Sequence, residues 1–286
     1  MDLGRVGIWT GGLRMDEHIA SGAAAAAAAE LEELGYGAIW LGFSPGVHHA
    51  APLLAGTSRI VVATGILSIW DYEPGEVAAA HNQVVAEHPG RFLLGLGVSH
   101  SVLAPDRYRR PLAAMQAFLD GLDAAPDPVP AAQRVLAALG PRMLATSRDR
   151  AAGAHPYLVT PEHTRRARET LGPDRLLAPE VKVVIDDDRT RARDIARRHV
   201  ARYLELPNYA NSLRRLGFTD ADISDGGSDK LIESVVVWGD ADTIRDRVAA
   251  HHDAGAGHVC VQVISDDRAD LPRGQWRELA AILDLG

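Results

Sequence analysis

One stretch of the sequence joins a strand-forming segment to groups that can take part in catalysis. Residues 92–100 read FLLGLGVSH, an apolar run that ends in Gly-Leu-Gly and is followed by Val98, Ser99 and His100. An apolar run bounded by glycine is typical of a strand buried on both faces, and parallel α/β enzymes keep their chemistry at the C-terminal ends of such strands. His100 is therefore a candidate acid, base or ligand contact, because imidazole titrates near neutral pH.

A second stretch has the form of an anion site. Leu139-Gly140-Pro141-Arg142 places a glycine after a predicted strand and a proline at the first position of the next helix. The free N–H groups at the start of such a helix point at a ligand, and the helix dipole favours negative charge there. Arg142 either adds positive charge to this site or faces solvent. The same strand-glycine-proline-helix pattern is also common in connections that bind nothing.

Other side chains with catalytic potential have weaker cases. His155 precedes the apolar run 156–159 and is equally well explained as a buried, hydrogen-bonded imidazole. Cys260 is the only cysteine and lies inside an apolar run, where a thiol usually packs as a small apolar side chain. The sequence has no H-E-x-x-H or C-x-x-C motif, and Gly95-Leu-Gly97 lacks the third glycine of a Rossmann fingerprint. We therefore expect no catalytic metal site.

Composition narrows the class of protein further. The chain has 286 residues, 47% of them hydrophobic and 24% charged, which is ordinary for a globular protein with a large core. Its formal charge of −8 is spread along the chain, so we do not expect nucleic acid as a partner. No run of about 18 apolar residues suits a membrane span, and the first residues do not have the basic-then-apolar order of a signal peptide. The predicted location is cytoplasmic.

The elements that position these groups alternate between apolar β-type runs and segments of helical period, which predicts a parallel α/β sheet with crossover helices. Nine strands are predicted, and an eight-stranded TIM barrel requires one of them to be something else. We select Val235–Trp238, as an extended approach to the helix that Asp240 caps. From Asp188 to Leu231 the pattern is helical, and residues 1–286 are interpreted as one domain. The predicted strands are Val6–Trp9, Ala38–Leu41, Ile60–Leu67, Phe92–Leu96, Val135–Leu139, Pro156–Val159, Val181–Ile185, Val235–Trp238 and Val259–Ile264.

Glycines follow most of these strands, which is expected to let a ligand approach the backbone closely at their C-terminal ends. This edge of the barrel, which we call the barrel mouth, is predicted to hold a nucleotide or a flat ring. Several segments also resemble the luciferase-like monooxygenase superfamily, specifically its coenzyme F420-dependent oxidoreductase branch. The segments that carry the resemblance are Gly90–His100, Ala137–Leu144, Gly153–Thr164, Val62–Ile66 and Ala254–Val259.

The resemblance implies a TIM (β/α)8 barrel of the bacterial-luciferase-like type, with a helical insertion after strand seven and F420, or alternatively FMN, across the mouth. It implies that a bulge at the end of strand three, often with a non-proline cis peptide, supports the cofactor ring. The implied cofactor-binding residues are Thr64, Gly65 and Ile66 in the bulge, Gly97, Val98 and Ser99 beside the ring, and Ala138, Leu139, Gly140, Pro141 and Arg142 at the phosphate-bearing tail.

A deazaflavin enzyme needs to stack its substrate on the ring and to supply a proton, and the aromatic residues Trp9, Phe43, Trp70 and Tyr72 are candidates for an apolar roof. We expect Trp9, Phe43, Trp70 and His155 to contact the substrate and His100 to carry the proton, with Asp71 and Glu73 as alternative acids, although packing explains Trp9 equally well. The branch members that oxidise alcohols carry an Asp-His pair after strand two and a Glu after strand four. In this sequence the first position has Gly42-Phe43-Ser44 and the second has His100. An alcohol dehydrogenase of that type is therefore not expected.

The function predicted from the sequence is hydride transfer between F420 and a small organic substrate, since a deazaflavin carries a hydride and reacts poorly with oxygen. Two alternatives stay open: an FMN-dependent monooxygenase on the same fold, and a barrel that binds F420 or flavin without turnover. Superfamily members are often dimers, and the apolar helices after strands one and three are the candidate interface of a homodimer.

Overall fold

The computed structural model describes residues 1–100, 105–265 and 271–286. Within these ranges, strands and helices alternate along most of the chain. The strands are β1 Val6–Thr10, β2 Ala38–Leu41, β3 Val61–Thr64, β4 Leu67–Ser68, β5 Phe92–Gly97, β6 Arg134–Leu136, β7 Gly153–Ala154, β8 Leu176–Leu177, β9 Glu180–Val184, β10 Val236–Trp238 and β11 Val259–Val263. The α-helices are α1 Asp16–Ala20, α2 Ala23–Glu33, α3 Ala51–Ala55, α4 Pro74–Glu87, α5 Pro111–Asp123, α6 Pro141–Arg150, α7 Pro161–Leu171, α8 Arg189–Leu204, α9 Pro207–Arg215, α10 Asp220–Ile223, α11 Asp229–Val235, α12 Ala241–Asp253 and α13 Arg273–Ile282.

All described strand pairs are parallel, in the order β10-β9-β11-β1-β2-β3-β5-β6-β7-β8, with β4 paired to the end of β5. The segment 176–184, which contains β8 and β9, closes the ring. On one side Glu180 N donates to Pro156 O at 2.8 Å, and on the other side Cys260 N donates to Pro179 O at 2.9 Å. Eight strand positions therefore surround one axis. The structure is the predicted α/β TIM barrel.

Packing of small residues brings the outer helices close to the barrel. In α2 the buried residues are Ala24, Ala27, Ala28 and Leu31, which recur with the spacing of one helical face. Because three of the four are alanines, the helix axis can approach the apolar strands beneath it. The strands themselves are buried along nearly their whole length, as expected for a parallel sheet covered on both faces.

Two of the predicted strands differ from the structure. Pro156–Val159 is not a strand: the sixth barrel position is the two-residue β7, and the chain then leaves the sheet, with Leu158 at a φ of 55° and its N–H bonded to the Glu180 carboxylate. Val235–Trp238 was predicted not to be a strand, yet Val236–Trp238 is β10. Since β7 is so short, the upper half of β9 has a free edge, and β10 pairs with that edge.

The segment between β9 and β10 consists of the four helices α8 to α11. Its helices pack around a hydrophobic cluster of their own, to which Val184 of β9 and Leu158 also belong. This position places α8 and α9 beside the barrel mouth. Among the described residues, no helix has the length and apolar character that crossing a bilayer requires.

Candidate active site

An open cavity lies at the barrel mouth, next to the ends of β1, β2 and β11. We call it the mouth cavity. It brings together two of the predicted substrate contacts, Trp9 and Phe43, whose rings meet edge to face with centroids 5.1 Å apart. It also contains His199 from α8 and Gln262 from β11, which sequence reasoning missed. The lining residues are Trp9, Thr10, Gly11, Phe43, His199, Gln262, Val263, Ile264, Ser265, Pro272 and Trp276.

The end of β3 carries the predicted bulge. The peptide bond between Gly65 and Ile66 is cis, at the position where the resemblance implies a non-proline cis peptide. Trp9 Nε1 donates to Gly65 O at 2.9 Å, and Thr64 Oγ1 donates to Gly95 O at 2.8 Å. Thr64 and Gly65 are buried, whereas Ile66 is half-buried. Of the three predicted cofactor contacts in the bulge, Ile66 is the one with a partly accessible side chain, whereas Thr64 and Gly65 make the hydrogen bonds that hold the bulge in place.

The turn after β5 forms the neighbouring part of the mouth. Gly97 is buried under Ile66, since a Cβ atom on it would lie 2.4 Å from Ile66 Cδ1. Val98 and Ser99 are half-buried. Trp70 Nε1 donates to Val98 O at 2.6 Å. Trp70 therefore anchors this turn and is not among the residues of the mouth cavity, where we expected it to contact the substrate.

The glycines at the strand ends serve a different purpose from the one predicted. A Cβ atom on Gly11 would lie 2.2 Å from the Phe43 ring, and one on Gly42 would lie 2.3 Å from the Trp9 ring. These two glycines accommodate the aromatic side chains of the protein itself. At Gly11 and Gly42 these rings fill the space on the Cβ side, so no ligand can approach the backbone from that side.

Gly140 differs from the other strand-end glycines, because the space in front of it is open. It is the N-cap of α6 with an extended backbone, and the nearest atom to a Cβ built on it is Arg215 Nη2 at 3.8 Å. Leu139 O accepts a hydrogen bond from His163 Nε2 at 3.0 Å, which fixes the approach to the helix. Pro141 and Arg142 follow it, both exposed. A helix start, an open space and a guanidinium together suit an anion.

His100 lies at the mouth beside α9. Its Nδ1 donates to Asn208 Oδ1 at 3.1 Å, and its ring centroid is 5.2 Å from that of Tyr209. Because an amide oxygen only accepts, Nδ1 carries the proton and Nε2 presents a lone pair. Burial lowers the pKa of His100 below its ordinary value of 6.5, and the hydrogen bond to Asn208 opposes this shift in part. At neutral pH His100 is thus arranged to accept a proton.

His155 does not lie where a substrate contact is expected. It is 2% exposed in the barrel interior, stacked on Trp40 with centroids 4.1 Å apart, and its Nδ1 donates to Ala178 O at 2.7 Å. Burial lowers its pKa to about 4, against the opposing effect of the Ala178 hydrogen bond. The structure therefore favours the interpretation of His155 as a buried imidazole with a packing role.

A buried polar cluster beneath the mouth was also missed. Glu180 and Lys182 are both fully buried and form an ion pair at 2.6 Å, with Lys182 Nζ 3.5 Å from the centroid of the Tyr157 ring. The Tyr157 hydroxyl donates to Gln262 Oε1 at 2.8 Å and is 2.9 Å from the Tyr203 hydroxyl. Burial lowers the pKa of Lys182 to about 8, although Glu180 opposes the shift. Glu180 and Lys182 are two residues apart in an apolar strand, so their side chains point to the same face of the sheet. This spacing is visible in the sequence and indicates a buried ion pair.

Within the described parts of the chain, no group of three or more His, Cys, Asp or Glu side chains is arranged to hold a metal ion. The groups that the mouth offers are the open N-terminus of α6 at Gly140, the imidazole of His100, and an aromatic cavity with polar groups at one side.

Comparison with known proteins agrees with this architecture. The sequence profile of the family described as luciferase-like monooxygenase matches residues 5–120, and this is the superfamily that the sequence resembles. No protein of curated function matches the chain significantly. Ninety-six solved chains do match.

Three of the solved structures represent the chemistry found on this fold. An F420-dependent secondary alcohol dehydrogenase in complex with an F420-acetone adduct has 14% identity and a TM-score of 0.68, with 98% of each chain covered. The coenzyme F420-dependent tetrahydromethanopterin reductase from Methanopyrus kandleri has 16% identity and a TM-score of 0.69, over 98% of this chain and 97% of the other. The oxygenating constituent of 3,6-diketocamphane monooxygenase from Pseudomonas putida, a type II Baeyer-Villiger enzyme in complex with FMN, has 14% identity and a TM-score of 0.68, over 98% and 96%. At these identities the likeness establishes the fold.

Proposed function

We propose that the protein is an F420-dependent oxidoreductase that transfers a hydride between the deazaflavin and a small carbonyl-type substrate. The observation that carries the proposal is the arrangement along the neighbouring strands β3, β5 and β6. The bulge at 64–66, the half-buried turn at 98–99 and the open helix start at Gly140 follow one another along the same edge of the barrel. This edge offers a wall for a flat ring and, beyond it, a seat for a negatively charged tail.

The charge around Gly140 supports F420 over a cofactor with a single phosphate. Arg142 and Arg215 make no ion pair within the described residues, although the chain as a whole carries a charge of −8. Unpaired guanidinium groups next to a helix start suit a ligand with several negative charges. F420 carries carboxylates beyond its phosphate, whereas FMN ends at its phosphate.

When bound, F420 supplies the hydride chemistry, and the residues of the protein supply binding, orientation and proton handling. Gly140 and Arg215 would hold the tail, and Ile66, Val98 and Ser99 would support the ring. Asn208 fixes the His100 tautomer, so that Nε2 can accept the proton released when an alcohol is oxidised to a carbonyl compound. Trp9 and Phe43 restrict water at the side of the mouth where the substrate would lie.

A second candidate function is an FMN-dependent monooxygenase. It is supported by the similarity in fold to the FMN-containing camphane enzyme, whose TM-score equals that of the F420-dependent alcohol dehydrogenase. The seat at Gly140 would also take the single phosphate of FMN. The two candidates differ in their use of oxygen, because a deazaflavin reacts poorly with it.

Turnover tests this proposal. Purified protein is mixed under argon with reduced F420 and a panel of ketones and enones, and the return of the oxidised F420 absorbance is followed. The expected result is oxidation of F420 that requires both protein and carbonyl compound. In parallel, oxygen consumption is measured with reduced FMN and the same compounds. Oxygen-dependent product formation with FMN, and none with F420, would contradict the proposal. Binding of F420 without turnover on any compound would favour the non-catalytic barrel.

A further inference from the structure

One aromatic side chain of the mouth cavity lies at its solvent side. Trp9 and Trp276 are 4% and 1% exposed and form the buried part of the wall, whereas Phe43 is 39% exposed. The Phe43 ring meets the Trp9 ring edge to face, with centroids 5.1 Å apart. A single exposed aromatic residue is ordinary on a protein surface, but this one lines a cavity. Of the three aromatic rings in the lining, Phe43 is the one between the buried wall and solvent.

The backbone holds Phe43 in a conformation that a bulky residue rarely adopts. The φ of Phe43 is 58° and that of Ser44 is also 58°, so two consecutive residues other than glycine are left-handed. In this region the Cβ atom crowds the following carbonyl oxygen, which is unfavourable for phenylalanine. Such positions persist where the surrounding structure fixes them, and they concentrate at ligand sites. The backbone conformation is therefore a second observation, independent of the exposure of the ring.

Hydrogen bonds from two strands fix the turn that carries Phe43. Gly42 N donates to Thr10 O at 2.9 Å, which ties the turn to β1. Ser44 Oγ accepts from Ser68 N at 3.1 Å, which ties the turn to β4. Since the backbone is held on both sides of Phe43, the ring projects from a fixed base over the end of β1.

The ring of Phe43 has its place because Gly11 has no side chain. A Cβ atom on Gly11 would lie 2.2 Å from Phe43 Cδ2 and 2.4 Å from Cε2. The backbone of Gly11 has φ −89° and ψ −18°, which other residues also adopt, so its conformation does not require glycine. What requires glycine at this position is the space that the Phe43 ring occupies.

We propose that Phe43 determines which substrates the mouth cavity accepts: its ring packs on a single aromatic ring of a small ketone or aldehyde and excludes ligands with two fused rings. The described lining has no Asp, Glu, Lys or Arg, which suits an uncharged ligand, and aromatic side chains pack favourably on an aromatic ligand. The carbonyl class rests on the proposed function. The selection by size is a property of this chain and does not depend on the cofactor.

Binding of two aryl ketones to the cofactor-free protein tests the assignment. The compound para-fluoroacetophenone has one ring, and the corresponding fluorinated acetonaphthone has two fused rings with the same acetyl group. Each is titrated with protein and followed by fluorine NMR. Wild-type protein is expected to bind the one-ring ketone about tenfold more tightly. Non-specific apolar binding would give the opposite order, because the larger compound has more apolar surface. Equal affinities, tighter binding of the larger ketone, or no binding of either would overturn the proposal.

Phe43→Ala removes the ring and leaves the anchored turn. The one-ring ketone is expected to lose about two- to tenfold in affinity, the contribution of one aromatic contact. The two-ring ketone is expected to gain affinity, so that the order of the two ketones reverses. A residue with a purely structural role would lower both affinities. Phe218→Ala is the matched control, because Phe218 is half-buried, packs on Lys230 and is not in the cavity lining. An unchanged size preference in Phe43→Ala would contradict the assignment.

Gly11→Ala displaces the ring without changing Phe43 itself. The added methyl group would overlap the ring, so the ring must leave its place over the end of β1. The one-ring ketone is expected to lose affinity as it does in Phe43→Ala. The double variant is expected to bind like Phe43→Ala alone, because both substitutions act on the same ring. Additive losses in the double variant would contradict the assignment. Melting temperatures are measured in parallel, and the order of the two ketones in wild type tests the proposal if a variant does not fold.

The outcomes also separate this inference from the proposed function. If the size order holds and F420 does not bind, the role of Phe43 stands and the proposed function fails. If F420 turns over with carbonyl compounds but the two ketones bind equally, the proposed function stands and the role of Phe43 fails.

Discussion

The anion seat at Gly140 allows a substitution that changes charge and little else. Gly140 has φ −102° and ψ 157°, which any residue adopts, and the nearest atom to a Cβ on it is 3.8 Å away. Gly140→Asp therefore fits without strain. At the N-cap of α6 an aspartate is a favourable residue, so the stability is expected to stay equal or to rise by a few tenths of a kcal/mol.

The effect on cofactor binding is expected to be large. A carboxylate about 5 Å from a phosphate costs about 3 kcal/mol at an effective dielectric constant of roughly 20. That free energy corresponds to roughly a hundredfold loss of affinity. The added carboxylate also lies next to Arg215 and competes for it. Gly140→Asn is the matched control, because asparagine has the same shape and capping ability without the charge, and we expect it to lose less than about tenfold.

The assay is a fluorescence titration of F420 with wild type and both variants, with melting temperatures measured in parallel. The account predicts a large loss for aspartate, a small loss for asparagine and equal melting temperatures. Equal affinity of the aspartate and asparagine variants would refute the assignment of the tail to this helix start. A loss of binding in both, with intact folding, would indicate a steric effect and would refute the charge argument.

Three further predictions concern the bulge, the imidazole base and the stability of the barrel. Oxidative turnover is expected to be level above pH 6.5 and to fall in acid as pH drops through the lowered pKa of His100; His100→Gln should abolish this acid limb of the pH-rate profile. Trp9→Phe leaves the buried carbonyl of Gly65 without its donor and should cost about 1–3 kcal/mol of unfolding free energy in urea denaturation. Burial raises the pKa of Glu32, but N–H donors of residues 58–60 outweigh this and lower it from 4.5 to about 2. The stabilisation is present above pH 4.5 and lost as pH falls towards 2, so calorimetry should show a smaller acid-induced drop in melting temperature for Glu32→Gln.

The fold was predictable from the sequence because its strands are continuous apolar runs separated by helices of ordinary length. The errors occurred where local pattern and tertiary context disagree. The apolar run 156–159 has the composition of a strand, but the preceding strand ends after Ala154 and the chain turns away. Val236–Trp238 pairs because the short β7 leaves part of β9 without a partner. The sequence of either segment alone shows neither the early end of β7 nor the unpaired edge of β9.

Two backbone features of the candidate site were predictable, the bulge after β3 and the glycine that caps α6, whereas their role in binding a cofactor stays a prediction. It was not predictable where space is shared between distant segments. The aromatic rings that fill the space over Gly11 and Gly42 come from other strands. His199 was missed although it lies on the buried face of α8 with Ile195 and Ala196, at helical spacing. An imidazole on an otherwise apolar helical face was a signal, but nothing in the sequence shows that this face meets the barrel mouth.

The measurement that tests the central claim most directly is a pair of binding titrations, in which the cofactor-free protein is titrated with F420 and, separately, with FMN under the same conditions. The account predicts tight binding of F420 and clearly weaker binding of FMN, because Arg142 and Arg215 can meet the additional negative charges of the F420 tail. A preference for FMN would contradict the F420 assignment and support the monooxygenase. Failure to bind either cofactor would contradict the proposed role of the barrel mouth.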